Sequence, residues 1–269
     1  MAERSYLGRL PHGWLTGFRE IGNAIVSVLF PAPCRICEQL LVTASRVPIC
    51  GSCLASFETS PEQRCEICGL PMEEYGGAEG ESLRCGACRR GLYAFERARS
   101  FGIYDEGLTK AILLLKFEEM EPLAMWFSRR LADLVRAEGE TLAADVVVPV
   151  PLHKDRYRER GYNQAELLSK RVAKLLGLPH RGVLLVRTKP RPDKHLLTER
   201  ERWETVRGAF ATRTGSRVDN LRVLLLDDVM TTGATLDACT RALLDAGAKS
   251  VVGVTVARAR SMRASRFRE

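Results

Sequence analysis

Apolar residues in the C-terminal two-thirds of the 269-residue chain follow two patterns, continuous short runs and runs spaced three or four residues apart. Continuous runs indicate buried strands, and the wider spacing indicates helices with one apolar face. The predicted strands are 145–150, 183–186, 222–226 and 251–256. The predicted helices are 108–116, 123–136, 163–176 and 235–246. Strands that alternate with helices predict an α/β fold, a parallel sheet with helices on both faces.

The first 95 residues contain eight of the nine cysteines, arranged as four Cys-x-x-Cys pairs. The pairs are Cys34 and Cys37, Cys50 and Cys53, Cys65 and Cys68, and Cys85 and Cys88. One such turn points two thiolates at one metal, and two turns complete a tetrahedral shell around zinc. We therefore expect two structural zinc ions in closed four-cysteine sites.

Other uses of these cysteines are disulfides, a thioredoxin-type redox pair and iron–sulfur ligation. Zinc is favoured because four identical pairs are unusual in disulfide frameworks and no secretion signal is visible. The pairs could share metals in sequence or in a cross-braced order, and the sequential order is favoured because it closes shorter loops. Cys239 lies in a predicted helix and is expected to be a small buried core residue.

These patterns predict three segments: an N-terminal helical lead over 1–30, a double zinc ribbon over 31–95, and an α/β domain with a basic C-terminal tail over 96–269. The longest apolar run, 21–30, is too short for a membrane span, which needs about 20 residues. No clear signal peptide is visible, so we expect a cytoplasmic protein.

The chain is basic, with 41 Lys and Arg against 33 Asp and Glu and a net charge of +8. The content of 45% hydrophobic and 28% charged residues is that of a globular protein and argues against wholesale disorder. Segment 31–95 has six Arg against eight acids, so the positive excess falls on the rest of the chain. The predicted tail includes Arg258, Arg260, Arg263, Arg266 and Arg268. A polyanionic partner is therefore expected on the C-terminal two-thirds.

The stretch 223–235 carries the most specific chemistry. A buried apolar strand ends in Asp227 and Asp228, and a loop of small and hydroxyl residues leads into a helix. Backbone amides at such a helix start bind phosphate, and glycine allows close approach. The candidate phosphate-loop residues are Thr231, Thr232, Gly233, Ala234 and Thr235. The two acids suit the two hydroxyls of a ribose, so we predict a sugar phosphate ligand.

This stretch resembles the phosphoribosyl pyrophosphate (PRPP) loop of type I phosphoribosyltransferases, and the whole chain resembles the ComF family of competence-associated proteins. The resemblance also rests on the four Cys-x-x-Cys pairs and on further segments of the α/β domain. These segments are Leu115-Lys116-Phe117, Val148-Pro-Val-Pro-Leu152, Arg160-Gly-Tyr-Asn-Gln164, and 197–210 with Arg202. The resemblance covers roughly residues 31–258.

The resemblance implies a double zinc ribbon followed by a type I phosphoribosyltransferase-like domain that binds PRPP with Mg2+. Arg160 and the loop that contains Lys154, Arg156 and Arg158 would lie near the pyrophosphate. Lys189 would bind PRPP from a hood over 187–207. Arg191, Lys194 and Thr205 depart from the family pattern in that hood, and the departures at 191 and 194 add positive charge.

Two functions follow from the resemblance. In the first, the protein binds PRPP and handles single-stranded DNA during natural transformation, with a competence helicase as a possible partner. Tyr157, Tyr162, Trp203 and Phe210 are then candidates for base stacking. In the alternative, the protein is a phosphoribosyltransferase that displaces pyrophosphate at the anomeric carbon of ribose, with Asp227 and Asp228 as catalytic residues and an unidentified acceptor.

Overall fold

The computed structural model describes residues 32–41, 46–72, 83–118, 120–190 and 198–260. The predicted helical lead over 1–30, hood residues 191–197 and tail residues 261–269 lie outside the described residues. The chain forms two compact units, Met1–Ser56 and Phe57–Glu269. The first two Cys-x-x-Cys pairs are in the first unit, and the last two pairs are in the same unit as the sheet. The predicted division after residue 95 stays a prediction.

The secondary structure consists of six strands and eight α-helices within the described residues. The strands are β1 (Arg97–Ile103), β2 (Val146–Pro149), β3 (Leu185–Arg187), β4 (Phe210–Thr212), β5 (Arg222–Met230) and β6 (Ser250–Arg258). The helices are α1 (Gly51–Ala55), α2 (Gly86–Arg89), α3 (Glu106–Phe117), α4 (Glu121–Glu138), α5 (Lys154–Arg160), α6 (Gln164–Leu176), α7 (Glu199–Val206) and α8 (Ala234–Asp245). A 3-10 turn, Gly139–Leu142, follows α4.

The main sheet of the second unit has four parallel strands in the order β1-β6-β5-β2. Helices α4 and α6 pack on each other, and α6 contacts β2 and β5, while α8 contacts β4, β5 and β6. The predicted parallel α/β fold is confirmed. Both central strands are covered, which explains why Leu224, Leu225 and Leu226 form a continuous buried run. Strands β3 and β4 form a separate antiparallel pair.

Strand β5 is longer than the sequence pattern predicts. It continues past Leu226 to Met230, so Asp227 and Asp228 lie within the strand, three and two residues before its end. The extension is held by β6, because Asp227 pairs with Thr255 and Met230 with Arg258. A polar residue ends an apolar pattern, but it does not end the backbone hydrogen bonding that defines the strand.

The second pair of cysteine turns belongs to the core of the sheet unit. Cys65, Cys68, Cys85 and Cys88 are all buried and share one apolar cluster with residues of β5 and α8. Cys239 of α8 is in the same cluster and is fully buried, as predicted, and burial raises the pKa of its thiol well above the usual value. None of the helices in the described ranges combines the length and apolarity needed to cross a lipid bilayer.

Candidate functional site

The eight N-terminal cysteines form two clusters, each with four sulfur atoms within 4.8 Å of one another. The first cluster contains Cys34, Cys37, Cys50 and Cys53, and the second contains Cys65, Cys68, Cys85 and Cys88. Pairs that are adjacent in sequence therefore share a site, and the sequential order is confirmed. The sulfur atoms of Cys37 and Cys50 are 3.7 Å apart and those of Cys68 and Cys85 are 3.6 Å apart, far from the disulfide bond length of about 2.05 Å.

The surroundings of the sulfurs fit a four-thiolate zinc site. The backbone amide of Cys50 donates to the sulfur of Cys34 at 3.3 Å, and the amide of Cys85 donates to that of Cys65 at 3.3 Å. A hydrogen bond with the Ser52 hydroxyl is the main cause that lowers the pKa of Cys50 to about 6. Four sulfur atoms within reach of one another, with a backbone amide that donates to one of them, give each cluster the arrangement of a closed structural zinc site.

A cavity of about 300 Å3 lies at the carboxyl ends of β2 and β5. This is the edge where parallel sheets bind ligands. Of the residues that the structure describes, five cations line it: Lys116, Arg156, Arg160, Arg187 and Arg202. The two acids Asp227 and Asp228 and the hydroxyl residues Thr231 and Thr235 also line it, together with Tyr104, His153 and Gln164. The structure therefore brings the predicted acids, part of the predicted loop and Arg160 to one place.

Asp228 is buried with only 5% of its surface exposed. Its Oδ2 atom accepts hydrogen bonds from Nζ of Lys116 at 2.8 Å and from Nε2 of Gln164 at 3.0 Å. Burial by itself raises the pKa of a carboxyl group, but Lys116 and Gln164 outweigh it and lower the pKa of Asp228. Asp228 is therefore a carboxylate near neutral pH that holds a lysine at the cavity wall.

Asp227 is half-buried, and its Oδ1 accepts a hydrogen bond from the backbone amide of Asp228 at 2.9 Å. Neighbouring strand residues point to opposite faces of the sheet. Since both acids line the same cavity, the cavity extends round the end of β5.

The loop after β5 turns into α8 at Gly233, which has φ +80° and is the N-cap of the helix. Glycine has no side chain that could accept from the backbone amides of the first turn of α8. These amides are therefore left to other acceptors. Ala234 donates its amide to Oγ1 of Thr232 at 3.3 Å, which stabilises the turn. Thr231 and Thr235 line the cavity, while Gly233 and Ala234 are buried behind them.

Helix α5, which has no apolar periodicity to predict it, decides which basic residues reach the cavity. Arg156 and Arg160 are four residues apart and lie on one helix face, which lines the cavity. Lys154 and Arg158 are not among the lining residues. Arg160 donates to Oε1 of Gln164 at 3.2 Å, and its buried Nε has no hydrogen-bond partner within the described residues.

Lys189 does not line this cavity. Its Nζ donates to the carbonyl oxygen of Arg207 at 3.1 Å, and its side chain lies near Gly208. Lys116 and Gln164 were missed as site residues, although both lie in the segments that carry the ComF resemblance. Their positions follow from α3 and α6, whose ends meet the end of β5.

Two further expectations are corrected. Arg258 is not part of a tail: it is the last residue of β6 and is 3% exposed, while Arg260 forms an ion pair with Glu58. Phe210 is buried, which closes its ring to base stacking, whereas Trp203 is half-buried and packs on Tyr93 with ring centres 5.9 Å apart, so its stacking role stays a prediction. Tyr157 is exposed.

Two protein families and several curated relatives are similar to this chain. The Double zinc ribbon domain family matches residues 25–94, and the Phosphoribosyl transferase domain family matches residues 163–266. Competence protein F of Haemophilus influenzae is 27% identical over 78% of this chain and 90% of its own length. The DNA utilization protein YhgH of Salmonella typhimurium is 31% identical over 82% of this chain and 94% of its own length. This chain belongs to the ComF family. Competence protein ComFC of Bacillus subtilis is 28% identical over 78% of this chain and 84% of its own length.

ComF family membership agrees with the geometry of the two kinds of site. The zinc ribbon match contains both cysteine clusters, and the phosphoribosyltransferase match contains β5, the phosphate loop and α8. The fold of this ComF protein is therefore a phosphoribosyltransferase-type α/β domain preceded by a double zinc ribbon.

Proposed function

We propose that this ComF family protein binds PRPP with Mg2+ in the cavity at the end of β5 and handles single-stranded DNA in DNA uptake. The observation that carries the proposal is the composition of that one cavity. A partly exposed carboxylate, a hydroxyl-rich helix-start loop and five cations surround about 300 Å3. PRPP is a ribose with a 5′-phosphate and a pyrophosphate, so its parts match these three groups.

The chemistry of these groups suggests which part of the ligand each one binds. The 5′-phosphate accepts from the loop that contains Thr231 and Thr235, because helix-start amides and hydroxyls bind phosphate. Asp227 and Asp228 accept from the ribose hydroxyls. The pyrophosphate lies among the arginines, where the unpartnered buried Nε of Arg160 suits an anionic acceptor.

Mg2+ fits this site because carboxylate and phosphate oxygens are its preferred ligands. Asp227 and Asp228 are the carboxylates of the cavity, and Mg2+ would neutralise pyrophosphate charge. Lys116 and the arginines supply the remaining positive charge to the ligand.

Calorimetric titration with Mg-PRPP tests binding. We expect wild-type protein to bind and Asp227→Asn to bind at least about tenfold more weakly, since a charge-assisted hydrogen bond is worth about 1.5–3 kcal/mol. Asp133→Asn is the matched control, because Asp133 is an exposed helix residue paired with Arg136. No binding by the wild-type protein, or equal binding by Asp227→Asn, would contradict the proposal.

Exposed aromatic rings beside the cavity support the single-stranded DNA part of the proposal. Tyr104 lines the cavity, and Phe117 is 64% exposed with the Arg160 guanidinium 5.1 Å from its ring centre. Bases stack on such rings while cations contact the phosphates. The names of the relatives, which refer to competence and to DNA utilization, agree with this partner.

Fluorescence anisotropy with a labelled single strand tests this part. Affinity should fall steeply with salt, as counterion release requires. Phe117→Ala should weaken binding by a factor that corresponds to about 1–3 kcal/mol of lost stacking. Leu113→Ala is the control, since Leu113 is an exposed apolar residue of the same helix. If Phe117→Ala and Leu113→Ala lost the same amount of affinity for the single strand, or if binding did not depend on salt, the proposed DNA binding would be contradicted.

A phosphoribosyltransferase is the second candidate, because the five cations that would hold pyrophosphate would also stabilise it as a leaving group. The reaction would break the bond between the anomeric carbon and pyrophosphate and join that carbon to an acceptor. Mg2+-dependent release of pyrophosphate with bases, ammonia or amines, lost in the Asp227→Asn and Asp228→Asn double variant, would favour it. Binding without release would leave PRPP as a ligand or effector.

A further inference from the structure

Arg258 joins the second cysteine cluster to the phosphate loop. Its Nε donates to the carbonyl oxygen of Cys68 at 3.3 Å. Its Nη1 donates to the carbonyl oxygens of Met230, at 3.1 Å, and Thr231. The Arg258 side chain is buried, so one guanidinium holds a cluster turn and the loop together.

Tyr93 makes a second connection from the segment that follows the cluster. Its hydroxyl donates to the carbonyl oxygen of Thr232 at 2.9 Å. Its ring packs against Gly233, where an added Cβ would lie 2.8 Å from Tyr93 Cε1. Burial raises the pKa of Tyr93, so the hydroxyl keeps the proton that it donates.

These two side chains hold three successive carbonyls, that of Met230 at the end of β5 and those of Thr231 and Thr232 in the loop. In a trans peptide the carbonyl and the following N–H point in opposite directions. Holding the three carbonyls towards Arg258 and Tyr93 therefore turns the amides of the three following residues the other way. Those are the amides that a phosphate needs at this loop.

We propose that Arg258 and Tyr93 are positioning residues that couple the second cysteine cluster to phosphate binding in the loop. The proposal rests on the proposed PRPP site and adds to it a link to a metal centre. Zinc in the second cluster keeps the Cys68 carbonyl in place, Arg258 transmits that position, and the loop amides are preset for phosphate. Because coupling between two sites is reciprocal, bound PRPP should also retain zinc in the second cluster.

Hydrogen exchange of the peptide over 230–236 and calorimetry with Mg-PRPP test the connection. Tyr93→Phe removes one hydroxyl and keeps the ring, so it should fold with full zinc content. It should speed exchange in the loop and weaken PRPP binding by about two- to tenfold, the range for one neutral hydrogen bond. Arg258→Met should have a larger effect, and Arg258→Lys should recover part of the binding. Arg260→Met is the control for loss of a nearby arginine.

Zinc release to a chromogenic chelator tests the reciprocal effect. At equilibrium, saturating Mg-PRPP should raise the chelator concentration that removes one zinc ion per chain from the wild-type protein, and this shift should be smaller in Tyr93→Phe and Arg258→Lys. Loop exchange and zinc release that are the same in Tyr93→Phe, Arg258→Lys and wild type would overturn the coupling even if PRPP binds. If wild-type protein binds no PRPP, the proposed function fails, whereas loop exchange still decides whether Arg258 and Tyr93 order the loop.

Discussion

The Nζ atom of Lys116 at the end of α3 lies 2.8 Å from Oδ2 of Asp228 on β5, and both side chains are largely buried, at 14% and 7% exposure. Two buried opposite charges cost solvation energy that the contact must offset. Gln164 from α6 shares the same oxygen of Asp228, so three elements meet at the end of the central strand. This contact holds the cavity wall and leaves Asp227 as the more exposed acid.

Lys116→Met should destabilise the protein by about 3–5 kcal/mol, because it leaves the Asp228 charge buried without its partner. Lys110→Met is the matched control on the same helix. Lys110 is 44% exposed and pairs with Glu106 four residues away, so its loss should cost about 0.5 kcal/mol or less. Chemical denaturation of both variants measures the difference. Equal losses would show that the buried pair contributes no more than a surface pair.

The lowered pKa of Asp228 predicts how its contribution depends on pH. A carboxyl group with a folded pKa below its unfolded value of about 4 stabilises the protein fully above that value. The contribution is lost as pH falls through the folded pKa. Asp228→Asn should therefore be less stable than wild type by a constant amount between pH 7 and 5, and the gap should narrow only below about pH 4. A gap that widens as pH falls from 7 to 5 would show instead that burial outweighs Lys116 and raises the pKa of Asp228.

Gly233→Ala should lower the stability of the protein by more than the strain of a left-handed backbone conformation accounts for. Gly233 and Gly215 have nearly the same φ, +80° and +81°, but an added Cβ meets Met230 and Tyr93 at 2.8 Å only at Gly233. Gly215→Ala should cost about 1–2 kcal/mol for the left-handed backbone. Gly233→Ala should cost about 1–3 kcal/mol more for overpacking, and it should weaken binding of PRPP. Denaturation and calorimetry of both variants measure these effects.

Cys88→Ser should remove one zinc ion per chain and strongly destabilise the sheet unit, because the second cluster is part of its core. Cys239→Ser is the matched control, since Cys239 is buried in the same core but lies outside the cluster. Cys239→Ser should keep the full zinc content. As in wild type, its thermal midpoint should fall when chelator is added. Atomic emission and thermal denaturation check both results. Full zinc content in Cys88→Ser would contradict the assignment of the cluster.

The sequence pattern predicted the features that depend on neighbouring residues. Apolar runs and helical spacing predicted the sheet class and four of the eight described α-helices, namely α3, α4, α6 and α8, each within two residues of its observed bounds. The cysteine spacing predicted two four-sulfur sites, because loop closure favours adjacent pairs. The apolar pattern did not predict β1, because arginines interrupt it, and the buried Arg99 of this strand pairs with Glu138 of α4. That partner is distant in sequence.

By itself, the sequence determined the fold class, the zinc chemistry and the chemistry of the loop around Gly233, because each depends on residues that are close along the chain. Only the tertiary structure decided which cations meet Asp227 and Asp228. Lys116 and Gln164 come from separate helices, and Arg258, expected in a basic tail, is buried between the second cluster and the loop. Long-range contacts of this kind follow from how strands and helices pack, and no local pattern of residue types encodes them.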